Sequence, residues 1–329
     1  MQRLPRADAF EYDMAAREPK LTVAQGERFV LETEDAESGL IRSESDLPTP
    51  ETLGERWARE ESNPVAGPVA VEGARAGDVL AVTIHDIVVD EQGYTAFIPG
   101  IGPLHDSARY PDCHGPFTRI VRHLPGPSGT TSDGVGVLDE STRWNLLPHI
   151  GTIGTAPLRA AAAGADTVYG QGAHGGNIDC RDISRGNTVL LPVAVDGGLL
   201  YAGDVHASQA DSEYYGVADE TRAELTLSCR VLSGRSIPAP RVVTPESIVQ
   251  LHSAKPLEDA IGQAFLWMID WLVEDFGFAP RDAYMHMGIN PDVRINVYQM
   301  TKLGRLNYTA GVQFPRKQLP DTGAELLPS

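Results

Sequence analysis

The sequence predicts a β-rich α+β protein, on three observations. Apolar residues alternate at period two in several short runs, and one long run carries the three- and four-residue spacing of an amphipathic helix. Gly and Pro are abundant, 33 and 24 of 329 residues, a usage that cuts a chain into many short elements. That length holds one large domain or two modest ones, each with its own core.

Residues 21–23 and 29–33 read as strand material joined through a turn at Gln25-Gly26. Residues 37–63 are polar and rich in Pro, Ser and Glu, the composition of a long surface loop. A strand returns over 77–84, with Leu80, Val82 and Ile84 on one face and Val79 and Ala81 on the other. Residues 98–133 are crowded with Gly, Pro, Ser and Asp, with His105, His114 and His123 scattered among them. They read as an excursion able to cover a site. From 187 to 232 strand follows strand. Residues 188–191 run to Pro192, and Asp196-Gly197-Gly198 punctuates a hairpin into Leu199-Leu200-Tyr201. Leu225, Leu227, Cys229 and Val231 then alternate with polar residues, so Cys229 is a core residue; Cys180 points away from the face of Asp179.

The clear helix lies between Pro256 and Phe276, where Leu257, Ala260, Ile261, Ala264, Phe265, Met268 and Leu272 form one stripe and Gly277 marks the stop. A shorter helix over 280–285 and a strand over 293–297 follow, then a polar last ten residues. The expected organisation is a domain over 1–240 that carries the chemistry and a smaller α/β part over 241–329 built round the main helix.

The net charge of −18, from 45 acidic against 27 basic residues, repels phosphate backbones and anionic lipid surfaces, so nucleic acid and membrane are excluded as expected partners. Three sparse cysteines, Cys113, Cys180 and Cys229, form neither a disulfide framework nor a thiolate zinc site. The first residues carry charges without an apolar core, and no apolar stretch reaches the length of a membrane span. The expected location is the cytoplasm.

The chemistry concentrates in two segments thirty residues apart, 170–182 and 203–213. Residues two apart on a strand share a face, which pairs Asn177 with Asp179 and Asp204 with His206. Two such pairs on neighbouring strands would aim four oxygen or nitrogen ligands at one point. The mixed set suits zinc, manganese or iron; calcium fits if His206 stands aside. Each pair taken alone also reads plainly as solvated polar residues, and the glycines beside His174 as a tight turn. No phosphate-loop or dinucleotide fingerprint follows a strand here, and no nucleophile elbow appears.

The double motif His174-Gly175-Gly176-Asn177-Ile178-Asp179 and Gly203-Asp204-Val205-His206-Ala207-Ser208-Gln209-Ala210-Asp211-Ser212-Glu213 resembles the signature of the acetamidase/formamidase family, which includes a zinc-dependent γ-lactamase. The likeness extends over roughly residues 20–300, including the strand that begins after Gly67-Pro68 and the helix from Leu257. The resemblance implies a β-sandwich-like domain joined to a smaller α/β part, a homodimer or higher homo-oligomer, and hydrolysis of a small amide to a carboxylic acid and ammonia or amine. It implies a divalent metal, zinc foremost with room for a second ion such as calcium, on Asn177, Asp179, Asp204 and His206. Glu140 and Glu220 resemble acidic positions of the family. Ala210 and Ser212 depart from it, standing where glycines are common.

Amide hydrolysis needs a proton carrier and donors for the carbonyl oxygen. Glu140 or Glu220 is the expected general base, and backbone N–H groups of the Gly-Gly turn are the expected donors. His174 is expected to orient a neighbour or stabilise the transition state, with a structural turn as the other reading. Two further readings stay open: a small-molecule-binding protein with a structural ion, and a lactam-opening or cyclising enzyme.

Overall fold

The computed structural model describes residues 1–304 and 306–320. The polar last ten residues therefore fall, apart from Pro320, outside the described part. Among the described residues the strands form two large sheets. Across the first, of nine strands, the order is Gln2–Leu4, Arg28–Thr33, Ala223–Leu232, Val79–Val89, Thr188–Pro192, Arg241–Val243, Ser247–Ala254, Tyr308–Pro315 and Arg294–Gln299. The second has twelve strands, with Leu200–His206 near its middle between His149–Thr155 on one side and Glu220–Thr221 and Val65–Val71 on the other.

Period-two alternation explains how these layers meet. On strand Val79–Val89, Leu80, Val82 and Ile84 enter a core that also holds Ile150, Leu200, Ala202 and Val205 of the second sheet. Val79 and Ala81, on the opposite face, pack with Ala264, Met268 and Leu272 of helix Leu257–Glu274. The first sheet is thus covered on one face by the second sheet and on the other by the helix. Fully burying a Met or Leu side chain stabilises by roughly 1.5–3 kcal/mol, so the packed stripe holds this helix in place. Cys180 and Cys229 both lie in the first core.

Three expectations change. The division at residue 240 falls inside one sheet: Arg241–Val243 pairs with Thr188–Pro192, so the C-terminal part extends the sheet begun by the N-terminal part. The hairpin expected through Asp196-Gly197-Gly198 does not form. Thr188–Pro192 has Val79–Val89 on one edge and Arg241–Val243 on the other. No edge remains for the next strand, and Leu200–His206 crosses to the second sheet. Residues 37–63 are also more than a surface loop. They hold helix Pro50–Ala58, opened by a capping box in which Thr52 N–H donates to Thr49 Oγ1 (3.3 Å) and Thr49 N–H to Thr52 Oγ1 (3.0 Å). Glu37, Ile41, Leu53 and Ser62 of this segment are buried. In the 98–133 excursion, Phe117–Leu124 pairs with Gln92–Phe97, and only its first residues, Ile98 to Ile101, reach the cavity described next.

Candidate metal centre

Strand Leu200–His206 changes neighbours along one edge. Its first half pairs with Val65–Val71, through Gly203 opposite Val65, and its end with Glu220–Thr221, through His206 opposite Glu220. The handover falls at Asp204, whose φ of 51° is left-handed inside an otherwise extended strand. Asp179 has φ 47° just after strand Gly175–Asn177. Non-glycine residues hold this conformation at a cost of order 1–3 kcal/mol, and such strain gathers at sites where side chains must be aimed. Here it aims two carboxylates at one point.

Strands Gly175–Asn177 and Leu200–His206 are not paired with each other. Both flank His149–Thr155, with Thr152 opposite Asn177 on one side and Gly203 on the other. What lets their side chains meet is Gly151. A Cβ there would stand 2.8 Å from Asp179 Oδ1, 3.0 Å from His206 Cε1 and 2.7 Å from the Asp204 carbonyl oxygen. The absence of a side chain at 151 makes the cradle.

In that cradle, Asp179, Asp204 and His206 each offer a ligand atom within 4.8 Å of the others, and His206, Glu213 and Glu220 form a second such group. His206 Nε2 is 3.6 Å from Asp204 Oδ1 and 3.4 Å from Glu220 Oε2. Asp179, Asp204, His206 and Glu220 are buried and Glu213 half-buried. Supporting bonds fix which atoms are left for a ligand. Asp204 Oδ2 accepts from Asn63 Nδ2 and Thr152 Oγ1, both at 3.0 Å, while Oδ1 has no partner. Glu220 Oε1 accepts from Ala218 N–H at 2.9 Å, and its Oε2 has none. With its amide oriented to satisfy both ends, Asn177 Nδ2 donates to both Asp179 oxygens at 2.8 Å. Asn177 therefore orients Asp179.

Gln209 joins the site to its surroundings. Its Oε1 accepts from His206 Nδ1 at 2.8 Å and lies 3.0 Å from His149 Nε2, while its NH2 donates to the carbonyls of Asp179 (3.1 Å) and Tyr298 (2.9 Å). With the proton on Nδ1, His206 turns a lone pair on Nε2 toward the carboxylates. Burial and the nearby His206 charge lower the His149 pKa to about 4, which keeps that ring neutral.

The electrostatics point to a cation. Burial pushes the Asp179 carboxyl up to about 8, with Asp204 adding to the shift and His206 opposing it. Burial likewise raises Glu213, beside Asp179, and Glu220. His206 is raised by Glu220 and Asp204 against its own burial. Asp179, Glu213 and Glu220, packed this closely, hold protons more readily than free carboxyls unless a positive ion replaces them, and orphaned oxygens on Asp204 and Glu220 are the acceptors such an ion satisfies. The residues fit a divalent metal.

Above the cluster lies a cavity of about 380 Å³ whose lining includes Asn177, Asp179, Glu213 and Glu220. Its walls are largely apolar, with Ile41, Trp57, Ile98, Val217 and Leu306 among them. Glu37 also faces it, accepting from Trp57 Nε1 and Ser62 Oγ, with burial raising its carboxyl to about 7.

The structure thus brings Asn177, Asp179, Asp204, His206 and Glu220 together. It does not bring Glu140. That residue is exposed in the turn between strands Val135–Val137 and Arg143–Asn145, where Asp139 Oδ1 accepts from the Ser141 and Thr142 N–H groups and leaves Glu140 facing solvent. His174 is buried off the cavity lining, with neither ring nitrogen bonded and burial lowering its pKa to about 4. Glu213 is the residue that sequence reasoning passed over. It sits in the second motif but follows Ser212, whose φ of 72° turns the chain inward through a conformation that favours glycine.

Comparison with known proteins agrees with this geometry. The acetamidase/formamidase family model matches residues 16–160 and 145–309. An acetamidase of Mycolicibacterium smegmatis is 34% identical over 198 residues, 45% of this chain and 48% of that protein. A formamidase of Methylophilus methylotrophus is 33% identical over 190 residues, 45% of this chain and 46% of that one. The chain spans about half the length of the curated relatives it matches. The crystal structure of an acetamidase from Bacillus halodurans superposes with a TM-score of 0.81 at 32% identity, covering 95% of this chain and 97% of that one. With the family model spanning most of its length, the chain belongs to the acetamidase/formamidase family.

Proposed function

We propose that the protein hydrolyses the C–N bond of a small amide, linear or cyclic, to a carboxylic acid and ammonia or amine. One observation carries the reading: Asp179, Glu213 and Glu220 line a largely apolar cavity, with Asp204 and His206 gathered against them and unpartnered oxygens left on Asp204 and Glu220. Asp179, Asp204 and His206 are assigned as the metal ligands. A divalent ion, zinc by the mix of imidazole and carboxylate, supplies a Lewis acid that polarises the amide carbonyl and makes water acidic near neutral pH.

The chain's own residues do the rest. Asn177 holds Asp179, Asn63 and Thr152 hold Asp204, and Gln209 sets the His206 tautomer. Glu220 is the general base. Its Oε1 is anchored, its Oε2 is free, and its raised pKa suits a group that takes a proton from water and returns it to the leaving nitrogen. The group of His206, Glu213 and Glu220 also has the oxygen donors for a second ion such as calcium; we assign its Glu220 to proton transfer. The cavity supports a substrate larger than formamide, whose three heavy atoms occupy a small part of about 380 Å³. That favours a bulkier amide or a lactam.

The accompanying reading is a β-sandwich-like, homo-oligomeric, cytoplasmic enzyme. Three free cysteines suit a reducing compartment, and the exposed Tyr284, Ile289 and Ile295 suit burial against another copy. No helix among the described residues is long and apolar enough to cross a membrane. The test is a panel of small amides and lactams scored for ammonia or acid release, before and after chelation and after zinc is restored. Release lost with the metal and regained on its return is the expected result; release indifferent to metal overturns the reading.

A further inference from the structure

The Gly-Gly turn beside His174 does not supply donors to the cavity. A Cβ on Gly175 would meet the Ile153 carbonyl at 2.2 Å and one on Gly176 the Gly170 carbonyl at 1.9 Å, so both glycines are packed into neighbouring backbone, and neither lines the cavity. Several other donors at the wall are committed: Asn63 to Asp204, Asn177 to Asp179, and Thr301 Oγ1 to the Glu213 carbonyl.

One hydroxyl is not. Tyr94, on strand Gln92–Phe97, is the cross-strand partner of Glu220, which puts the two side chains on one face of the sheet. Tyr94 is 3% exposed, lines the cavity with Asp179, Glu213 and Glu220, and its hydroxyl has no hydrogen-bond partner. A buried phenol normally finds a partner, and one left without it beside a reactive floor is available to a ligand.

We propose that Tyr94 is a catalytic residue whose O–H donates to the carbonyl oxygen of the substrate amide as that oxygen gains negative charge. The proposal rests on the amidase reading. Water adds to the carbonyl carbon and yields a proton to Glu220; the C–N bond breaks as that proton passes to nitrogen. Tyr94 keeps its own proton throughout. Burial and the charges of Asp35, Glu37, Glu220 and Asp204 hold the phenol protonated, so it serves as a donor and not as an acid.

A structural role is the rival, because Asp35 Oδ2 is also buried and unpartnered. Tyr94→Phe removes the hydroxyl alone. In the zinc-loaded protein, kcat is expected to fall by about 10²-fold, the scale for one such donor, with bound metal and melting temperature unchanged. Affinity for a small phosphonamidate, whose tetrahedral oxygen stands in for the charged intermediate, should weaken at least tenfold. If the variant keeps both kcat and phosphonamidate affinity within twofold of an active wild type, the Tyr94 proposal alone fails. A fall in melting temperature and metal content that accounts for the lost turnover assigns the hydroxyl to Asp35 and also overturns it. A wild type that neither turns over any amide nor binds the phosphonamidate defeats the amidase reading itself.

Discussion

Gly151→Ala tests the cradle with one methyl group. The added carbon would lie 2.7 Å from the Asp204 carbonyl oxygen and 2.8 Å from Asp179 Oδ1, which is 0.7 and 0.6 Å short of the 3.4 Å where ordinary contact begins. His206 Cε1, at 3.0 Å, is 0.4 Å short. Neither neighbour yields cheaply. The first is strand backbone, and the second is a carboxylate held by Asn177. Inserting a carbon into such packing costs about 1–3 kcal/mol. Metal sites tolerate ligand displacements of about 0.2 Å, so a shift of half an ångström is felt as lost affinity. At 1.4 kcal/mol per tenfold, zinc affinity should weaken by about 10–100-fold, and turnover under limiting zinc should fall in step. The melting temperature of the metal-free protein should drop by a few degrees. Competition against a chromophoric zinc chelator, with thermal melts alongside, measures both. A variant with wild-type zinc affinity would show that Asp179 and His206 do not close on an ion beside Gly151.

Further outcomes follow from the same arrangement. Glu220→Gln should keep zinc within a few fold and reduce turnover by about 10²–10⁴, while Glu140→Gln stays within twofold of wild type, both read as ammonia release per bound metal. Loss of metal in Glu220→Gln would move Glu220 from base to ligand. His206→Ala should lose bound zinc, measured by elemental analysis of the folded variant; retained zinc refutes the ligand assignment. The pH dependence has a definite sign. Asp179 rises from 3.8 to about 8 in the ion-free protein, so the folded state holds the extra proton between those values. Its contribution to stability is full below the lower value and is lost as pH rises through the upper one. The melting temperature of chelated protein should therefore decline from pH 7 to 8, above the range in which the buried His149 and His174, lowered from 6.5 to about 4, add stability as pH rises, and zinc should abolish that decline. A flat profile for the chelated protein would mean Asp179 ionises freely without a cation.

Much of this was written in local pattern. The alternation at Leu80, Val82 and Ile84 and the stripe through Ala260, Ala264 and Met268 each depend on neighbours in the chain, and both elements formed where the pattern placed them. Asp204 and His206 were found because they lie two apart on one strand. What stayed hidden depends on distant segments. The crossing of residues 193–199 between sheets follows from which edges were already taken, a fact about Val79–Val89 and Arg241–Val243. Tyr94 meets Glu220 only through register. Glu140 was drawn in by likeness of a short acidic run, which cannot tell a turn facing solvent from one facing a cleft. Helix Pro50–Ala58 did carry a local sign in Thr49-Pro50-Glu51-Thr52, outweighed by the polar composition round it.

The Gln209 side chain sets a limit on how this protein can be cut or altered. It accepts at one end and donates at the other, so a carboxylate in its place would face the Asp179 and Tyr298 carbonyls with no hydrogen to offer them. Because Tyr298 belongs to the far edge strand of the first sheet, the His206 imidazole, through Gln209, is braced by the last third of the chain. A fragment ending near residue 240 would lose that brace together with the strands that complete the sheet. Metal binding and C-terminal folding should rise and fall as a single cooperative event.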